Sequence, residues 1–324
     1  MPYPAPASPT SSGLSLSLVL LALSVLLPAC ASVPPVEQSQ HYLDRAEEKL
    51  ATGDAVGAID DYSRSIELTQ LPMAYHNRGN ARFQLGEYRG AVVDYTMALR
   101  IKPDFVEAYW NRSVARRKLG DHKGVISDCT EVLRYRPNDS RVYYARAVAR
   151  AEIADYDGSI DDFSRVIDLE PALGSAYYDR GIARLNHGSY PAAMLDFSEV
   201  IERDPSDREA WIGRGRARLY SGDPTGATDD FARSIEIEPD LALVYLNKAI
   251  AHAANGDDRQ AIVEASNAIR MRVEFADAFY VRGAAKAKRG DDDGAIADYS
   301  MALSFDPTHR AAKSRLAAHS RETD

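Results

Sequence analysis

Cysteine is nearly absent: 324 residues contain only Cys30 and Cys129, 99 positions apart. That excludes a disulfide framework and any CxxC metal site. The seven histidines, His41, His76, His122, His187, His252, His309 and His319, are scattered without metal-ligand spacing, so no metal or cofactor is expected. No basic block exists either. The 39 Lys+Arg face 48 Asp+Glu for a net charge of −9, which argues against a nucleic-acid partner, because phosphate binding needs clustered cations. HExxH, GxSxG, the P-loop and the dinucleotide fingerprint are all missing. The nearest glycine motif, Gly213-Arg214-Gly215, falls inside an expected helix, and the plentiful carboxylates form no evident dyad. The chain is therefore not expected to be an enzyme. A charged fraction of 27% with 45% hydrophobic residues remains, which describes a folded chain.

No apolar run is long enough to span a bilayer as a helix. The longest, LSLSLVLLALSVLL at 14–27, has 14 residues against the roughly 20 needed, and fits a signal-peptide core. The tetrad Leu27-Pro28-Ala29-Cys30 that ends it resembles the lipobox of bacterial lipoproteins. That resemblance implies cleavage before Cys30, a diacylglycerol thioether on its sulfur, and a mature chain of 295 residues. Pro28 is uncommon at its place in a lipobox, and residues 1–29 lack Lys and Arg altogether. Two other readings stand beside it: an ordinary secretory signal with Cys30 near the cleavage point by chance, and an uncleaved anchor.

Comparing the chain with itself at an offset of 34 exposes its organisation. In the block opening at Pro72, the marker residues are Tyr75, Gly79, Gly86, Ala91, Tyr95, Ala98 and Pro103, at block positions 4, 8, 15, 20, 24, 27 and 32. Position 4 recurs as Tyr109, Tyr143, Tyr177, Trp211, Tyr245 and Phe279. Position 32 recurs as Pro137, Pro171, Pro205, Pro239 and Pro307, with a lapse at Val273. The blocks run 39–71, 72–105, 106–139, 140–173, 174–207, 208–241, 242–275 and 276–309, the first being one residue short. Small residues at positions 8, 20 and 27 allow two helices to approach closely. Gly at position 15 ends one helix in the left-handed conformation, and the acid after it starts the next. Pro near position 32 ends that second helix.

This pattern resembles the tetratricopeptide repeat (TPR) family. The resemblance implies an all-α, right-handed α-solenoid of about eight helix–turn–helix repeats. Residues 310–324 read as a C-terminal cap. Residues 30–38 read as the lipidated Cys30 followed by a short, Pro-stiffened linker.

Position 7 carries Arg45, Arg78, Arg112, Arg146, Arg180, Arg214, Lys248 and Arg282, and sixteen residues later stand Asp61, Asp94, Asp128, Asp162, Asp196, Asp230, Glu264 and Asp298. Base and acid change together, to Lys248 and Glu264, in one repeat. This predicts an ion pair between the two helices of each unit rather than a ridge of cations for a ligand. Eight bases and eight acids then cancel, leaving 31 cations against 40 acids. Cys129 replaces the aromatic of position 24 and reads as a buried filler.

The family resemblance implies a concave groove lined by the first helix of each repeat. The candidate peptide-binding residues are His76, Asn77, Asn80, Trp110, Asn111, Arg141, Tyr144 and Tyr178. Packing between helices is the competing role for the aromatic ones. TPR domains that clamp a peptide's C-terminal carboxylate would place their five contacts at His76, Asn80, Asn111, Arg141 and Ala145. Of these, Asn80, Asn111 and Arg141 keep the expected type. The expectation is a lipid-tethered, periplasm-facing scaffold that binds proteins or peptides of the cell envelope. Ala31 after the lipidated residue weakly favours the outer membrane. In layout it is similar to TPR lipoproteins that dock peptidoglycan hydrolases, help assemble outer-membrane proteins or support pilus secretins. A secreted ligand-binding solenoid and a self-associating array are the alternatives.

Overall fold

The computed structural model describes residues 34–322, with side chains to residue 318. The expected leader 1–29 and Cys30 lie outside the described residues. Eight helical pairs follow one another. The first helices of the pairs are α1 (Pro35–Ala51), α3 (Pro72–Gln84), α5 (Val106–Lys118), α7 (Ser140–Glu152), α9 (Gly174–His187), α11 (Arg208–Ser221), α13 (Ala242–Ala254) and α15 (Ala276–Lys288). The second helices are α2 (Ala55–Leu68), α4 (Tyr88–Ile101), α6 (His122–Tyr135), α8 (Tyr156–Leu169), α10 (Tyr190–Arg203), α12 (Pro224–Ile237), α14 (Asp258–Met271) and α16 (Asp292–Phe305). A single helix, α17 (Arg310–Glu322), packs on α16.

The turn within each pair follows from two adjacent residues. Gly120, at φ 72°, terminates α5, and the Asp121 carboxylate then accepts the Gly124 N–H at 2.9 Å to cap α6. The same aspartate cap opens α2, α8, α12, α14 and α16. Glu87 makes no cap to α4; its longer side chain turns toward Arg82 instead, at 3.8 Å. Between α7 and α8 the glycine position is occupied by Ala154, which holds φ 60°.

Every second helix has 14 residues, including α14, where the terminal proline is replaced by Val273. An extended residue, Arg272, ends that helix without help from the ring. At the other end the structure corrects the expected linker. Helix α1 takes in Pro35–Gln38, which the repeat register had left outside the first unit. Proline at the first helical position forfeits no hydrogen bond and has its φ already set, and Glu37 suits the first turn.

Six of the eight pairs close on a ring at position 24, Cys129 and Ala265 taking its place in the other two. Tyr62, Tyr95, Phe163, Phe197, Phe231 and Tyr299 are buried to 1% exposure or less. Small residues make room for them: a Cβ on Gly79 would stand 2.7 Å from Tyr95, and one on Gly213 would stand 2.6 Å from Phe197. Helices touch mainly their sequence neighbours, as expected of a one-dimensional array. The further contacts join first helices to each other, α3 to α5, α7 to α9, α9 to α11, α11 to α13 and α13 to α15. First helices therefore form the inner wall of the solenoid. Among the described residues no helix is long and apolar enough to cross a membrane.

Candidate functional site

Between the two walls runs a lattice of charge. Arg78, Arg112, Arg146, Arg180, Arg214 and Arg282 each lie 2.6–2.8 Å from the aspartate sixteen residues on. Lys248 reaches Glu264 at 2.9 Å, and Arg45 pairs with Asp61. The eight acids are all buried. A second cation shares most of them, four residues after the first and so on the same helical face. Lys49, Arg82, Arg116, Arg150, Arg184, Arg218 and Lys286 approach the same carboxylates at 2.7–2.9 Å. The eighth such residue is His252, which turns toward Asp257 at 3.8 Å. Reading the repeats for the first cation alone missed this row, although the same 34-residue comparison displays it.

The guanidinium also reaches out of its own repeat. Arg78 donates to Ser63, Arg112 to Thr96, Arg146 to Thr130, Arg180 to Ser164, Arg214 to Ser198 and Arg282 to Ser266, all at 2.9–3.2 Å. Each hydroxyl belongs to the second helix of the preceding repeat. One junction lacks this bridge: α12 carries Ala232 where the hydroxyl should be, and the residue facing it in the register is Lys248. Beyond the first repeat, arginine is used where its fork has partners on two helices, and lysine where it has one. The cations thus belong to the scaffold.

On the inner wall the structure gathers His76, Asn77, Asn80 and Asn111 into one network. Asn111 Nδ2 donates to His76 Nε2 at 3.0 Å and to Asn80 Oδ1 at 2.9 Å, and Tyr95 donates to the same oxygen at 2.8 Å. His76 Nδ1 faces Asn77 Oδ1 at 3.1 Å. The His76 ring, 8% exposed, stacks on Phe105 at 4.7 Å, and burial pushes its pKa below the usual histidine value. It is a neutral packing group, so the first cation of a carboxylate clamp is absent, and Ala145 leaves the last one absent as well.

Trp110 stands between two clefts. One, of about 270 Å³, is lined by Asn80, Gln84, Tyr95 and Asn111; the other, of about 160 Å³, by Val114, Arg117, Val125, Arg141 and Tyr144. Tyr144 packs edge-on against Phe163 at 5.4 Å and donates its hydroxyl to Asp179, a carboxyl that burial pushes above its ordinary pKa. Tyr178 packs on Phe197 at 5.8 Å and lines a third cleft, of about 430 Å³, with Val200, Arg203 and Glu209. The aromatic residues therefore do both jobs, one edge in the core and one face in the groove. Cys129 is buried, and desolvation pushes its thiol up to about 12, far from a nucleophile. Among the described residues no group of three or more His, Cys, Asp or Glu side chains could hold a metal ion.

Comparison with known proteins adds the family. A TPR repeat model matches residues 79–120, and a tetratricopeptide repeat model matches 178–242 and 246–310, together more than half of the chain. No curated protein matches the sequence. Among solved structures, the C-terminal part of a TPR repeat-containing protein from Cytophaga hutchinsonii is similar with a TM-score of 0.61 at 18% identity, over 74% of this chain and 98% of that one. A tetratricopeptide repeat protein from Parabacteroides merdae is similar at 0.51 and 17%, over 77% and 99%. The residue pattern, the paired helices and these likenesses agree: the chain is a tetratricopeptide-repeat protein, an all-α solenoid of eight repeats closed by a C-terminal helix.

Proposed function

We propose that the protein is a scaffold that binds proteins or peptides along its inner wall, tethered to a bacterial membrane through Cys30 to assemble or regulate a cell-envelope complex. One observation carries the binding part: Trp110 and Tyr144 expose aromatic faces beside partly polar clefts on consecutive inner helices. Aromatic side chains with polar neighbours are the usual anchors of interfaces. The tethering part rests on the apolar run 14–27 and the Leu27–Cys30 tetrad alone. Every strongly held cation and acid of the lattice already has a structural partner, which supports a binding rather than a catalytic role.

A photo-crosslinking amino acid placed at Gln84, on the inner wall, should capture partners from cell-envelope extracts, whereas one at Asp161 on the outer wall should not. Equal capture at both sites would refute the groove. Mass spectrometry of the mature N-terminus should show a lipid-modified cysteine; an unmodified Cys30 would refute the tether and favour a secreted solenoid.

A further inference from the structure

The protein is acidic overall, and on the inner wall most cations are consumed by the buried carboxylates. Around the smaller Trp110 cleft they are not. Arg117 and Lys118 are exposed, and neither side chain has a partner among the described residues. Arg141 gives Nε and Nη2 to Asp139 at 3.3 and 3.2 Å, and its Nη1 is left over. Both Arg117 and Arg141 line the cleft together with Trp110, Val114, Val125 and Tyr144. The cleft therefore pairs an apolar lining with the unpaired charge of Arg117 and the spare Nη1 donor of Arg141. Its volume of about 160 Å³ is close to the ~150 Å³ of a cavity that holds a benzene ring, enough for one leucine-sized side chain.

Across Trp110, the asparagine network leaves a complementary pair of groups. Asn80 Oδ1 is occupied by Tyr95 and Asn111 Nδ2, so Asn80 Nδ2 and Asn111 Oδ1 remain for another partner. One donor and one acceptor on neighbouring helices match the two hydrogen-bonding groups of a peptide unit. A terminal carboxylate finds no such match, because His76 is uncharged and Ala145 is apolar.

We infer that the wall from α3 to α7 takes an extended segment of a partner protein in which an internal Asp or Glu adjoins a leucine-sized apolar residue. The apolar side chain enters the cleft between Trp110 and Tyr144. The carboxylate meets Arg117 and Arg141, while Asn80 and Asn111 hold the backbone on the other side of the indole. This specifies the ligand of the groove proposed above and rests on that reading.

Trp110 itself reports the test. In a full-length Trp211→Phe variant it is the sole indole, since the chain has two tryptophans. Three peptides are titrated: Ac-Gly-Leu-Glu-Leu-Gly-NH2, the same with Gln for Glu, and the Gln peptide with a free C-terminal carboxylate. The capped Glu peptide should bind about tenfold or more tighter than either other, with an affinity that falls as salt rises. Arg117→Ala with Arg141→Ala should erase that preference, so that the two capped peptides bind alike, with the circular dichroism unchanged. Equal binding of both capped peptides overturns the charge specificity and leaves the groove standing. Tightest binding by the free terminus overturns it in favour of a terminal clamp. No response to any peptide overturns it too, and the Gln84 crosslinking then decides whether the groove reading falls with it.

Discussion

A single methyl group separates Ala154 from the glycines at the equivalent turns. Left-handed backbone costs an L-residue with a Cβ roughly 1–2 kcal/mol, and Ala154 holds φ 60° where Gly120 and Gly188 sit freely. Ala154→Gly should therefore stabilise the protein by about 1 kcal/mol, less the extra entropy glycine gains on unfolding. Paired urea melts would check it, and a destabilised variant would contradict the strain. At this scale the sequence was partly legible. The invariant spacing of Arg146 to Asp162, repeated eight times, announced a contact within the repeat because no other geometry repeats so strictly. The second row was harder to see, since it alternates among Lys49, Arg82 and His252. The role of Ser164 was invisible for a different reason: a serine on a helix face says nothing until the guanidinium of Arg180 arrives beside it.

Elements were legible to within a few residues. A glycine followed by an acid fixed where six of the eight first helices stop, and that signal is local. The start of α1 was not, because proline reads as a linker in isolation and as a first helical residue only when a helix follows it. Between elements, the absent bridge from α12 to α13 makes a testable pair. Ala232→Ser alone offers a hydroxyl to a lysine already held by Glu264, and Lys248→Arg alone has no hydroxyl to reach. Together they should restore the contact that Arg282 makes with Ser266 at 3.2 Å. A double-mutant cycle in urea should show a favourable coupling of about 0.5–1.5 kcal/mol. Additive effects would mean that the lattice does not act across repeats.

Over the whole molecule the charges are sorted by depth. Fifteen of the 39 Lys+Arg, rather than eight, serve the eight buried carboxylates, so 24 cations face 40 acids elsewhere. The first and third repeats of this lattice respond oppositely to acid. In the first repeat the Arg45 guanidinium holds the Asp61 carboxyl down to about 2, against burial and with help from Lys49. Its contribution is complete above the unfolded value of 3.8 and is lost as pH falls toward 2. In the third repeat burial outweighs Arg112 and Arg116 and pushes the Asp128 carboxyl up, so protonation there relieves a cost. Lowering the pH from about 5 to about 2.5 should reduce hydrogen-exchange protection factors in α1 and α2 more than in α5 and α6. Uniform loss would contradict this. The groove was legible only as positions on a wheel. Which of its polar atoms are spent, as at His76, and which are spare, as at Arg117, depends on neighbours one repeat away that no single helix encodes.

The guanidinium bridges tie the first six repeats edge to edge, and the seventh and eighth to each other, with one joint left without a bridge at Ala232. Apolar packing of Ile212, Phe231 and Val244 still closes that joint, so the array is continuous in its core and interrupted only in its polar stitching. A partner that lies across this seam meets a wall pinned by arginine on either side and held by side-chain packing at the joint.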